Sequence, residues 1–454
     1  MNIKYFFYLA LALGLISCEP EITDFTPDKG EADFTRYVAI GNSLTAGFAD
    51  GALYQSAQPY SWANILGKQM ESVGGQEFVY PEVESEFGVL PGKRKLGYST
   101  SCVGSTSLAP VPDEGVLDPF SRHVGYPVHN LGVPGAKLVH LLANGYGNPA
   151  LVPQGLASPY FARFAATPEI SVLEQAISMT PTFFSVWIGS NDVLGYAVAG
   201  GDGDAITPSA DFETYYQVLL QSLVATGAKG VVANIPDIET AAFFNTIPYN
   251  PIVLGEEQAV IVDQLNSGYA AYNAAMEQFG LPYRIEFSLG ANAMVIADPA
   301  MGALGLPAEL QIRQIAENER VLLTLPQDSL QCANWGTMKP IPPQFILTES
   351  ELNSIAVATA NYNATIQQAA EDFGLAFVDV NKLMNEVAES GLRVDGILFT
   401  QSFVTGNTFS LDGIHLTAQA NAVLANYFID AINQTYGANI SQVAVSSYPG
   451  IAFP

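Results

Sequence analysis

Four short apolar runs, each closed by turn residues, constrain this chain more than anything else in it. Tyr37-Val-Ala-Ile40, Thr182-Phe-Phe-Ser-Val-Trp-Ile188, Gly230-Val-Val-Ala-Asn-Ile235 and Ala376-Phe-Val-Asp-Val380 are rich in β-branched and aromatic residues. Runs of this length and composition read as strands buried on both faces. Helical spacing lies between them: Trp62, Ile65, Leu66, Met70 and Val73 over 60–73, then further patterns over 212–225 and 348–373. Strands that alternate with helices predict a parallel sheet covered by helices, an α/β fold. A fifth, weaker run, Tyr126 to Leu131, ends in the turn Gly132-Val-Pro-Gly135.

Two stretches interrupt the alternation. Residues 74–125 are frequent in Gly, Pro and Ser, as in Pro91-Gly92-Lys93 and Ser105-Thr-Ser-Leu-Ala-Pro110. They read as a loop-rich surface insertion, of the kind that builds lids or binding walls. Residues 239–344 hold a helical pattern over 260–279 and a Gly/Pro-containing part over 289–307. They read as a second, larger insertion. The expected organisation is one domain over 35–440 carrying both insertions, then a C-terminal tail over 441–454. Apolar residues are 49% of the 454, and charged residues 13%, enough carbon for a sizeable core.

The N-terminus carries an address. Lys4, the apolar run Tyr5 to Leu15 and small residues before Cys18 describe a secretory signal over 1–17. The segment is short for a transmembrane helix. Leu15-Ile-Ser-Cys18 resembles the lipobox of bacterial lipoproteins. That resemblance implies cleavage before Cys18, lipidation of its thiol and a membrane-tethered mature chain. Residues 18–34, acidic and containing Pro20 and Pro27, then read as a flexible tether. The expected location is outside the cytoplasm, with the outer membrane as the anchoring surface and its face left open. A net charge of −27 argues against nucleic acid and against a basic membrane-binding patch. Export makes a disulfide between the two remaining cysteines, Cys102 and Cys332, available. Neither has a CxxC partner or a nearby histidine, so no metal site and no thiol catalysis are expected.

The first strand runs straight into Gly41-Asn42-Ser43 and a helix-like segment from Leu44. A serine there stands at the carboxyl end of a parallel sheet, where open α/β folds bind ligands. It is not a Gly-x-Ser-x-Gly elbow, because Thr45 occupies the second position after the serine. The second of the four runs ends at Gly189-Ser-Asn191-Asp192. An asparagine in that place is either a turn former or an amide donor to an oxyanion. The chain has four histidines: His123, His129, His140 and His415. Asp412 precedes His415 by three residues; it follows the last strand after a polar, glycine-containing connection and stands just ahead of a final helix over 418–436. A serine nucleophile needs a histidine base oriented by an acid, and these two residues supply the types.

Taken together, Gly41-Asn-Ser43-Leu, Asn130-Leu-Gly-Val-Pro-Gly135, Gly189-Ser-Asn191-Asp and Asp412-Gly-Ile-His415 resemble the ordered sequence blocks of the SGNH (GDSL-type) hydrolases. The resemblance implies a three-layer α/β/α sandwich with a five-stranded, flavodoxin-like parallel sheet. It implies Ser43 as nucleophile, His415 as base and Asp412 as its orienting acid. The oxyanion hole would be the backbone N–H groups of Ser43 and Gly135 and the side-chain amide of Asn191, with Gly132 a rival for Gly135. Asn42 stands where the family usually has aspartate. The implied activity is hydrolysis of carboxylic esters, acyl lipids or other acyl esters, through an acyl-enzyme without metal or cofactor. The expected partners are an ester substrate and, through the lipid anchor, a membrane. A carbohydrate O-acetylesterase, an acyltransferase and a binding lipoprotein with idle chemistry are the alternatives these residues leave open.

Overall fold

The computed structural model describes residues 25–120 and 122–454. Cys18 and the signal segment lie outside the described residues. The strands expected from the apolar runs form one five-stranded, all-parallel sheet. In chain order its principal elements begin with strand β1 (Tyr37–Gly41), helix α1 (Ser43–Ala46) and helix α2 (Trp62–Met70). An excursion carries the hairpin β2 (Arg94–Thr100) and β3 (Thr106–Pro112). The chain returns through β4 (Asn130–Gly132), α3 (Val172–Ser178), β5 (Phe183–Trp187), α4 (Asn191–Ala197), α5 (Ser209–Val224) and β6 (Lys229–Ala233). A second excursion includes α6 (Ala259–Gln278). The last part is α7 (Glu349–Phe373), β7 (Ala376–Val378), α8 (Val380–Glu389), the hairpin β8 (Leu392–Val394) and β9 (Ile397–Phe399), and α9 (Ala418–Tyr436).

The spatial order is β4-β1-β5-β6-β7. Counting only sheet strands, that is 2-1-3-4-5, the flavodoxin-like order. The chain reverses its direction of travel between β1 and β5, and the crevice beyond their carboxyl ends is the topological switch point where such sheets bind ligands. Register brings the ends level, with Gly41 opposite Trp187 on one side and Gly132 on the other.

Period-two alternation puts four of the five sheet strands in two cores, while β4 gives Leu131 to one. Val38 and Ile40 face the side covered by α3, α5 and α7, while Tyr37 and Ala39 face the side covered by α2, α8 and α9. The helices meet them with apolar stripes; α5 buries Phe212, Tyr216, Leu219, Leu220 and Leu223 at i, i+4, i+7, i+8 and i+11. The result is the three-layer α/β/α sandwich expected from the resemblance.

Two local readings are corrected. Residues 28–34 are not free tether: Ala32 and Phe34 are buried, and the Phe34 ring packs 4.9 Å from that of Phe183. The first excursion is loop-rich apart from its hairpin, in which Thr106–Pro110 contributes most of β3, paired in register along β2. The last strand stops at Val378, and what looked like a polar connection begins with a helix. Asp379 caps α8 by accepting from the Lys382 N–H at 3.0 Å, and Val380, Leu383, Met384 and Val387 form its buried face. The second excursion has its own apolar clusters, one around Tyr272, Met276 and Phe287 and one around Met294, Ile296 and Ile341.

Candidate active site

The position of Ser43 follows from how β1 ends. Gly41 leaves the sheet, Asn42 caps the four-residue α1 by accepting from the Leu44 N–H at 3.0 Å, and Gly47 closes it in a left-handed conformation. The cap uses only an acceptor oxygen, so asparagine fills this place as aspartate would. Ser43 is the first helical residue. Its N–H is one of those a helix cannot satisfy internally.

The other half of the site comes from the far end of the chain. Residues 410–415 form a tight loop ahead of α9, closed by the Ser410 N–H to the His415 carbonyl at 2.7 Å. Asp412 Oδ1 accepts from the N–H groups of Ile414 at 2.9 Å and His415 at 2.8 Å. Asp412 Oδ2 lies 2.8 Å from His415 Nδ1, and His415 Nε2 lies 2.8 Å from Ser43 Oγ. Burial alone would raise the Asp412 carboxyl. The facing imidazole and the two backbone N–H groups outweigh it and hold the group well below the usual carboxylate range. Asp412 is therefore a carboxylate at neutral pH, which fixes Nδ1 as the protonated nitrogen and leaves Nε2 to accept the Ser43 proton. The Phe48 ring packs 4.6 Å from the His415 ring.

The remaining histidines are spent elsewhere. His129 Nδ1 accepts from the Val79 N–H and His140 Nδ1 from the Lys137 N–H, while His123 Nε2 lies 3.2 Å from the Ala165 carbonyl.

Gly132 and Gly135 have different jobs. The Gly132 N–H is taken by Asn130 Oδ1 at 2.9 Å, and a Cβ at Gly132 would stand 2.4 Å from the Ala46 nitrogen. It is glycine so that α1 can lie against β4. Val133-Pro134-Gly135-Ala136 is a turn closed by the Ala136 N–H to the Val133 carbonyl, with Gly135 at φ +79°. Proline followed by a left-handed glycine is the type II pattern, and its closing bond leaves the Gly135 N–H unused. Asn191 reaches the same turn, donating from Nδ2 to the Ala136 carbonyl at 2.9 Å. An amide has a second N–H to give.

Asp192, the next residue, is buried and locks this arrangement from behind. Its Oδ2 accepts from the Leu138 N–H at 2.9 Å and its Oδ1 from the Thr207 hydroxyl at 2.7 Å. Burial pushes its carboxyl up, against those two hydrogen bonds.

Two parts of the site carry no signal in the sequence reading. One is Asp50-Gly51, just past α1. The Gly51 N–H donates to Asp412 Oδ2 at 3.0 Å, Asp50 Oδ1 accepts from the Leu411 N–H at 2.9 Å, and the Asp50 N–H donates to Ser410 Oγ at 2.9 Å. The other is a narrow cavity of about 90 Å³ with Ser43, Asn191 and His415 in its lining. Its walls are nearly all carbon, drawn from α8, the β8–β9 hairpin and α9 as well as from Leu44, Val193 and Phe244. The i, i+3, i+4, i+7 spacing of Val380, Leu383, Met384 and Val387 could have disclosed helix α8, though not the cavity its apolar face lines. Among the described residues no group of three or more His, Cys, Asp or Glu side chains is arranged to hold a metal ion.

No family model matches the sequence, and no curated protein matches it. Its structural neighbours include esterases and lipases. A catalytic mutant of an acetylxylan esterase from Geobacillus stearothermophilus is 12% identical, covering 88% of this chain and 95% of that one, with a TM-score of 0.34. A GDSL-like lipase from Parabacteroides merdae is 10% identical over 90% of this chain and 99% of that one, at 0.32. A lipase/acylhydrolase from Enterococcus faecalis is 10% identical over 90% and 98%, also at 0.32. The chemistry assigned below rests on the residues of this chain.

Proposed function

We propose that the protein is a serine carboxylic ester hydrolase that acts on acyl esters through a covalent acyl-enzyme. The observation that carries this reading is the continuous line Asp412 Oδ2, His415 Nδ1, His415 Nε2, Ser43 Oγ, with both hydrogen bonds at 2.8 Å. Ser43 Oγ attacks the ester carbonyl carbon as its proton passes to His415 Nε2. The carbonyl oxygen becomes an oxyanion, received by the N–H groups of Ser43 and Gly135 and the free amide N–H of Asn191. The C–O bond to the alcohol breaks, and the alcohol leaves with the proton from His415. Water then gives a proton to His415 and attacks the acyl carbon, and the acid and free Ser43 are returned. Asp412 stays ionised throughout and stabilises the imidazolium.

The carbon-lined cavity at the serine supports acyl lipids or other apolar acyl esters over acetylated sugars. The lipobox resemblance supports a mature chain anchored through Cys18, with the outer membrane as its site. The anchor is tested by growth with labelled palmitate: label is expected on the native chain and lost in Cys18→Ala, and an unlabelled native chain overturns it.

The hydrolase reading is tested with p-nitrophenyl esters from acetyl to palmitoyl, using the soluble chain from Glu19 alongside Ser43→Ala and Asn191→Ala. Turnover should vanish into background in Ser43→Ala and fall by about 10²–10³ in Asn191→Ala. Equal rates for native protein and Ser43→Ala on every ester would defeat the proposal and favour a binding lipoprotein.

A further inference from the structure

Between the last sheet strand and Asp412 the chain builds something the parallel sheet does not need. Helix α8 turns its carbon face inward and ties its polar face down: Asn381 Nδ2 donates to the Ile235 carbonyl at 3.0 Å, and Asn385 Nδ2 to Asp237 Oδ2 at 3.1 Å. The β8–β9 hairpin follows, and its Leu392 and Phe399 join Met384 and Val387 on the cavity wall. Met384, Val387 and Phe399 are each buried. Val380 and Val387 are seven residues apart, about 10 Å of helix, and both line the cavity, so α8 supplies its wall over that length.

Resting on the hydrolase reading, we infer that this cavity is an acyl-chain site and that residues 380–399 set the length of unbranched acyl chain the protein accepts. The lining includes Ser43 and Asn191, the residues at the acyl carbon and its oxygen, so the chain attached to that carbon starts beside them and continues between Leu44 and α8. Gly135 is exposed and lies outside the lining, which leaves the solvent side of the site to the departing alcohol. The binding is nondirectional burial of methylenes, and each one seated raises kcat/KM by about fourfold until the wall at Val387 and Phe399 is met.

Two variants test it in opposite directions. Val387→Trp fills the inner part of the cavity, and Met384→Ala enlarges it. For p-nitrophenyl esters, Val387→Trp should lower kcat/KM for octanoyl and longer chains, which lose at least two seated methylenes, by roughly tenfold or more relative to the acetyl ester. Met384→Ala should move the preferred length upward, and it keeps the test alive if the tryptophan variant does not fold. The same proteins are run on alkyl acetates of increasing alcohol length, where no such shift is expected. Native chain-length profiles in both variants, with acetyl turnover intact, overturn the assignment. So does a shift that follows the alcohol chain. Failure of the underlying hydrolase reading looks different, because then native protein and Ser43→Ala are alike even on the acetyl ester.

Discussion

Asp50 belongs to no motif, yet the loop that presents Asp412 and His415 hangs on it. Its carboxylate holds the Leu411 N–H and, through its second oxygen, the Tyr54 hydroxyl at 2.6 Å. The residue takes a left-handed φ of +54°, and Gly51 follows at +86°, which turns the Gly51 N–H onto the triad carboxylate. A non-glycine residue in that conformation costs energy and persists where surrounding contacts impose it. Burial raises the Asp50 carboxyl, against the Tyr54 and Leu411 hydrogen bonds. We predict that Asp50→Ala lowers kcat by roughly tenfold to a hundredfold, the scale of a displaced catalytic group, while KM stays near its native value. Asp50→Asn keeps an acceptor for Leu411 and should recover most of kcat. A role confined to stability would instead lower the unfolding midpoint in both variants and leave kcat alone.

Among the elements, the excursions are held to the sandwich by a few buried polar contacts. Arg163 is 2% exposed and donates to Asp118 at 3.2 Å and to the Glu82 carbonyl at 3.0 Å, and Asp118 also accepts from the Glu84 N–H. This pins residues 82–118 against the segment ahead of α3. Surface pairs such as Lys68–Glu71 contribute little beside it, since water screens them. Removing one partner of a buried pair leaves the other charge without compensation. Arg163→Ala is accordingly expected to lower unfolding free energy by about 3–5 kcal/mol, measured by urea denaturation. A loss below ~1 kcal/mol would mean that water reaches Asp118 in its place. In the second excursion Arg313 does similar work, bonding both oxygens of Glu319 and one of Asp298, while Glu319 Oε1 accepts from the Glu349 N–H at the start of α7.

At the scale of the whole molecule, the disulfide between Cys102 and Cys332 joins the two excursions across 230 residues of sequence. Cys102 lies in the turn of the β2–β3 hairpin, and its N–H also bonds the Asp328 carboxylate at 3.0 Å. Closing so long a loop restricts the unfolded chain, so the Cys102→Ser/Cys332→Ser double variant should lose about 2–4 kcal/mol of stability. Neither cysteine lines the cavity at Ser43, and acetyl-ester turnover at a temperature where both proteins are folded should match the native rate. A drop in turnover without a drop in stability would instead tie the excursions to catalysis.

What the sequence by itself determined is the sheet and the residue types at its edge. Alternation of apolar strands and amphipathic helices is a local property, written in neighbours two or four residues apart, and it sufficed for the parallel sandwich. The blocks around Ser43, Gly135, Asn191, Asp412 and His415 were legible because each is a short turn whose chemistry needs particular residues at fixed spacing. Whether they meet was decided only by the tertiary structure. The strand order 2-1-3-4-5 puts the ends of β1 and β5 side by side, and α9 docks so that His415, 372 residues from Ser43, comes within hydrogen-bonding distance. What distinguishes Gly132 from Gly135 is also tertiary, since it turns on the approach of α1 to one and on the bond that closes the turn around the other. The grip of Asp50-Gly51 on Asp412 and the carbon-lined cavity were out of reach for the same reason. Each is a contact between segments distant in sequence, and local patterning records that a residue is apolar or polar without recording what it faces.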